Sequence, residues 1–177
     1  ISGHSLNNPS FYLSEKIEYY TFLRDPYLRC ASHYQYHQEV MKARKASFED
    51  WIQTEKWRNF QVRKIAGEEN LQKAIDLLES DYFFVGLVDR FAESLAMLKA
   101  LSPYPLDTRH HCKNVASSNS LKDRLLGDAS TFERLKEGNE LDLELLTYVK
   151  DVFYPKQKKA VEQRFGSLEI ETQKPVT

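Results

Sequence analysis

The sequence predicts an α/β domain, a parallel sheet flanked by helices, on three observations. Tyr19-Tyr20-Thr21-Phe22-Leu23 is aromatic, β-branched or apolar throughout, and Arg24-Asp25-Pro26 follows directly, so a strand turns sharply into a helix. Tyr82-Phe83-Phe84-Val85-Gly86-Leu87-Val88 is an unbroken apolar run that fits a strand buried on both faces of a parallel sheet. Between and beyond these runs, apolar residues recur at helical spacing. The 177 residues, 41% of them apolar, suffice for one domain with a real core, taken as 1–177.

Composition removes several functional classes. Lys+Arg and Asp+Glu nearly cancel to a net charge of −1, which argues against a broad nucleic-acid surface but allows a local basic pocket. No apolar run has the length of a membrane span, and no signal-peptide pattern occurs. Cys30 and Cys112 are too few for a disulfide framework or a metal cluster, and Cys30 reads as a small packing residue. His110-His111-Cys112 cannot wrap one zinc ion without further ligands, so no metal is expected. Without an Asn-x-Ser/Thr sequon of permitted middle residue or paired cysteines, the balance tips to the cytoplasm. A chain opening on Ile1 reads as a piece of something longer.

Taken in order, Ile1 to Ser14 is polar and irregular, with Asn7-Asn8-Pro9-Ser10 as a turn. After the first strand, Asp25 caps a helix and Pro26 sits where its missing N–H costs nothing. A helix start after a strand turns unpaired N–H groups outward, and its dipole favours an anion. Arg24 ends the strand, and Ser32 follows eight residues later, about two helical turns on, on the side of Arg29. A held guanidinium, a hydroxyl and a helix start together suit a phosphate. The helix runs through Tyr34, Tyr36 and His37 to Lys42, Arg44 and Lys45, cations that complement its C-terminal dipole.

Ser47 and Asp50 have the spacing of a capping box, and Phe48, Trp51, Ile52 and Glu55 start an amphipathic helix. In Asn59–Gly67, Asn59 and Arg63 share a helical face while Gln61 points elsewhere. Glu69 to Ser80 carries a core stripe of Leu71, Ala74, Ile75, Leu77 and Leu78. After the second strand Asp89 is positioned to cap a helix whose stripe includes Phe91, Leu95, Leu98 and Leu101. Ser102 to Ser120 is the longest irregular stretch, of the kind that is often functional or mobile. Helices are then expected over Ser130 to Glu137 and over Leu141 to Arg164, the second started by Asn139 or Asp142 and broken near Pro155. Leu141, Leu145, Val149, Val152 and Phe153 form its apolar face, and Phe165-Gly166 ends it before a loose tail over 166–177.

Arg24-Asp25-Pro26-x-x-Arg29-x-x-Ser32-x-Tyr34 after a hydrophobic strand resembles the 3′-phosphate-binding motif of sulfotransferases that use 3′-phosphoadenosine-5′-phosphosulfate (PAPS). It is most similar to the branch of the carbohydrate O-sulfotransferases and their bacterial relatives. The likeness extends over about Gly3 to Phe165 and includes Phe84–Leu98, where a family strand leads into a packing helix. It implies a P-loop-kinase-like sulfotransferase fold, incomplete at the N-terminus, since no strand with a Lys-Ser/Thr phosphosulfate loop precedes Arg24 and the six glycines are isolated.

The resemblance implies Arg24, Arg29 and Ser32 as residues of the nucleotide site. Lys113, Asn114, Ser117, Ser118 and Asn119 would come from a loop closing over the nucleotide. Asn59, Gln61 and Arg63, in an Asn-x-Gln-x-Arg segment, would reach acceptor or cofactor oxygens. Gly3-His4 matches a pair whose histidine is the base on the acceptor hydroxyl, although Ser5-Leu6-Asn7-Asn8 departs from the aromatic and glycine that usually follow. The implied reaction moves the sulfuryl group of PAPS to a hydroxyl, a carbohydrate one in that branch, and releases PAP without a metal. An animal-type parent would place it in the Golgi lumen. Two other readings stay open: a kinase-like phosphotransferase, which requires ATP or ADP preference and Mg²⁺, and a non-catalytic nucleotide-binding or scaffold module. The Arg24/Ser32 pair speaks against the kinase.

Overall fold

A computed structural model of the chain describes residues 19–39, 47–80, 82–108 and 120–168. Strand β1 (Tyr19–Leu23) leads into α1 (Pro26–Glu39). Then come α2 (Phe48–Gln53), a 3-10 turn at Glu55–Trp57, α3 (Phe60–Ala66) and α4 (Leu71–Ser80). Strand β2 (Tyr82–Leu87) passes through a 3-10 turn, Val88–Arg90, into α5 (Phe91–Leu101). The C-terminal part is helical: α6 (Ser120–Gly127), α7 (Ala129–Glu137), α8 (Glu140–Tyr148), a π turn at Val149–Phe153 and α9 (Tyr154–Phe165). The described residues are thus mostly helical around a small parallel sheet of two strands, which bears out α/β in its coarse sense.

The strands pair from Tyr20↔Phe84 to Leu23↔Leu87, with an irregularity between Tyr19 and Tyr20. Phe84, Val85 and Leu87 are fully buried, as expected for a strand covered on both faces. Gly86 lies opposite Phe22, and a Cβ there would stand 2.5 Å from the Phe22 ring. That ring is wedged between Phe84 and Phe91, with centroids 5.8 and 5.4 Å away. Glycine is therefore required at 86 by close approach.

Side chains from distant helices close the sheet's backbone. Gln157 on α9 accepts the Val85 N–H at 3.0 Å and donates to the Val85 carbonyl at 3.0 Å. The Ser94 hydroxyl accepts from the Leu87 N–H and donates to the Leu87 carbonyl. In a strand, N–H and C=O of one residue face the same edge and alternate with those of the next, so these side chains seal the β2 edge away from β1.

Two apolar clusters hold the molecule. One joins the sheet to α3, α4, α5, α8 and α9 through Leu23, Val62, Leu78, Phe84, Met97, Leu145 and Tyr154. The second, Cys30, Ala31, Tyr34, Phe48, Ile52, Leu125 and Leu135, packs α1 on α2, α6 and α7, and Cys30 is a buried packing residue there.

Local capping agrees with the sequence at two helices and departs from it at two. Asp25 Oδ1 accepts the Leu28 N–H at 2.8 Å, capping α1. Ser47 Oγ accepts the Asp50 N–H at 3.0 Å and donates to the Asp50 carboxylate, so the shorter acid reaches the hydroxyl of the cap. Asp89 does not cap α5: it sits inside the 3-10 turn and pairs with Lys150 at 2.6 Å. Asn139 occupies the start of α8, but its amide donates back to the Leu135 carbonyl, and Asp142 faces α3.

The predicted break near Pro155 takes the form of a π turn just upstream of it. Tyr154 N–H bonds to the Val149 carbonyl, five residues back, and α9 resumes with Pro155 in its first turn. Helix α6 lies where the sequence predicts no element, and it contributes Leu125 to the second cluster. Among the described residues, no helix is long and apolar enough to cross a membrane.

Candidate functional site

The corner between β1 and α1 lies at the carboxyl end of both strands, the end at which open parallel sheets bind ligands. Arg24 follows the last strand residue, Asp25 caps, and Pro26 begins the helix. Side chains on a helix lean toward its N-terminus, which brings Ser32 back over the corner. There Arg24 Nη2 donates to Ser32 Oγ at 3.2 Å. The structure thus joins the two residues whose eight-residue spacing marked the motif.

Arg29, one turn into α1, is buried beneath the same corner. Its guanidinium carbon stands 4.4 Å from the centroid of the Phe60 ring, and Nη2 makes a long 3.5 Å contact with the Trp57 carbonyl. Nε and Nη1 are buried without a hydrogen-bond partner among the described residues. Burial lowers the Arg29 pKa, against the pull of Cys30 and Asp142, and nearby Arg24 lowers it further. The corner thus gathers two guanidiniums and a helix N-terminus that the Asp25 carboxylate caps.

The Asn59–Arg63 segment divides three ways. Gln61 Oε1 accepts the Arg24 N–H at 3.0 Å, and Gln61 Nε2 donates to the Arg24 carbonyl at 2.9 Å. Both polar ends of Gln61 are therefore used on the backbone that carries Arg24. Asn59, with φ 40°, stands in the left-handed region just before α3. Its Oδ1 accepts the Leu141 N–H at 3.0 Å and, more weakly, the Asp142 N–H at 3.4 Å. Arg63 is held between Glu55 and Glu69 at 3.0 and 3.2 Å. It faces an open cleft of about 510 Å³ shared with Arg58 and Glu68, on a side that includes neither Arg24 nor Ser32.

Asp142, which the sequence reading treated only as a possible helix start, is the buried centre of this arrangement. Its Oδ2 accepts the Gln61 N–H at 3.0 Å and its Oδ1 the Val62 N–H at 2.8 Å. Helices α3 and α8 therefore cap each other, Asn59 serving α8 and Asp142 serving α3. Burial raises the Asp142 pKa, opposed by the two amides and by Arg29. The available signal was an acid on the same helical face as Leu145, Leu146 and Val149.

Further along α1, the His33 ring stacks on His37 at 4.8 Å and lies 4.5 Å from Trp57. Burial, then the charges of His37, Arg29 and Lys56, push the His33 pKa down to about 4. His4, Lys113, Asn114, Ser117, Ser118, Asn119 and the His110-His111-Cys112 run lie outside the described residues. Among the described residues, no cluster of three or more metal-ligating side chains occurs. Compared with known proteins, the chain matches no family model, no curated protein and no solved structure.

Proposed function

We propose that this chain carries the nucleotide site of a PAPS-dependent sulfotransferase, with Arg24 and Ser32 holding the 3′-phosphate. The observation that carries this reading is the 3.2 Å bond from Arg24 Nη2 to Ser32 Oγ at the start of a helix. A guanidinium fixed by one N–H keeps other donors for phosphate oxygens, the hydroxyl adds another, and the helix dipole adds positive potential. The Arg29 N–H groups without a partner among the described residues are further donors beside the corner. In the reaction, the acceptor oxygen attacks sulfur while the bond from sulfur to the 5′-phosphate oxygen breaks. The acceptor proton passes to His4, and PAP leaves. The acceptor is a hydroxyl, a carbohydrate one in the branch the chain resembles, and no step requires a metal.

The test is calorimetric titration of the chain with PAP and with ADP, repeated on Arg24→Ala. Binding of PAP in clear preference to ADP, lost in the variant, is the expected result. A folded chain that binds both alike, or neither, removes the reading.

A further inference from the structure

We propose that Gln61 is a positioning residue for Arg24, and that Asp142 sets Gln61 in place from the far end of the chain. This rests on the nucleotide-site reading above. The chain of bonds is continuous. Asp142 binds the Gln61 and Val62 amides, Gln61 grips the Arg24 N–H and carbonyl, and the Arg24 side chain turns to Ser32.

Every link has the character of a positioning device. Asp142 is fully buried and Gln61 nearly so, so their hydrogen bonds face little competition from water. Gln61 engages both backbone groups of one residue, which fixes the rotation of that peptide segment about the strand axis as well as its distance. Arg24 is the last position before the chain turns into the cap at Asp25. A small rotation of its backbone is therefore carried along the whole arginine side chain to the guanidinium. Anion recognition by a guanidinium depends on direction, so this loosening reaches the ligand.

Gln157 supplies an internal control. It makes the same two-bond grip on the Val85 backbone, at the other edge of the sheet. Gln61→Met and Gln157→Met each remove a two-bond grip from a strand while keeping side-chain length. If Gln61 were only structural, the two variants would behave alike.

Two measurements are made on the wild type and both variants: PAP affinity by calorimetry, and the order of the Arg24 side chain by ¹⁵N relaxation at Nε. The expected result for Gln61→Met is PAP affinity lower by about tenfold or more, with a disordered Arg24 side chain. For Gln157→Met, PAP affinity stays within about twofold and Arg24 stays ordered. Unchanged Arg24 order in Gln61→Met, or equal effects of the two variants, overturns the proposal even where wild-type PAP binding is confirmed. Wild-type protein that fails to prefer PAP removes the nucleotide reading. The relaxation comparison then still decides whether Gln61 orders Arg24.

Discussion

Replacing Asp142 with alanine takes one acceptor from each of two buried amides, Gln61 N–H and Val62 N–H, bonded at 3.0 and 2.8 Å. A buried donor left without a partner costs about 1–3 kcal/mol, so two cost about 2–6 kcal/mol. Arg29 also loses the nearest buried acid acting on it. Against this stands relief from burying a carboxylate, which is real here because burial raises the Asp142 pKa. The net expectation is a loss of about 3 kcal/mol, or about 6–12 °C in Tm for a domain of this size.

Urea unfolding measures it: the midpoint should fall at constant m-value. Asn59→Ala, alone and combined with Asp142→Ala, then completes a cycle. Because the two helix starts cap each other, the double loss should be smaller than the sum of the single losses by at least about 0.5 kcal/mol. An Asp142→Ala loss under about 0.5 kcal/mol would refute the reciprocal cap as a stabilising element.

Two further expectations concern the packing around the site. Gly86→Ala places a Cβ 2.5 Å from the Phe22 ring, which is itself held by Phe84 and Phe91. It should destabilise the protein by about 1–3 kcal/mol in urea unfolding. Phe22→Leu in the same background should recover part of that loss. The pH dependence follows from His33, whose folded pKa of about 4 lies below its ordinary 6.5. The unfolded chain takes up the proton first, so stability contributed by the neutral ring is full above pH 6.5 and lost as pH falls from there to about 4. A ring this exposed is expected to contribute about 1–2 kcal/mol, less than full burial would give. His33→Gln should flatten the stability curve across that window, and an unchanged slope would contradict the assignment. Asp142, its pKa raised, does not drive acid unfolding.

The two strands, the Asp25 and Ser47 caps and the core stripes were legible because each depends on residues close in sequence. The Arg24–Ser32 contact was legible for the same reason: strand end, cap and helix geometry together place an i+8 hydroxyl over the corner. What was not legible acts across the chain. Asp142 lies 81 residues from Gln61 and 80 from Val62, so nothing local distinguishes a trans cap from an ordinary acid at a helix start. Asp89 shows the converse. It has the residue type of a cap, but an intervening 3-10 turn and the cation of Lys150 take it elsewhere. The resemblance implied Asn59 and Gln61 as residues reaching acceptor or cofactor oxygens, whereas the Asn59 side chain caps α8 and the Gln61 side chain binds the Arg24 backbone.

The electrostatics of the corner separate affinity from selectivity. Arg24, Arg29 and the start of α1 supply positive potential, offset in part by the Asp25 carboxylate that caps α1 and by the buried Asp142, which already accepts two amides. Any small anion responds to such a potential, so retention of phosphate alone would say little about function. Discrimination between a 3′-phosphate and other anions needs donors fixed in direction, and on the proposed nucleotide reading that would fall to the Arg24–Ser32 pair and the Gln61 grip behind it. Arg29→Met should therefore weaken PAP and ADP together, because it lowers the potential without disturbing direction. A change at Gln61 should weaken PAP more than ADP, because direction is what it controls. The ratio of the two affinities, and not either one alone, reports whether this corner recognises a nucleotide or merely attracts charge.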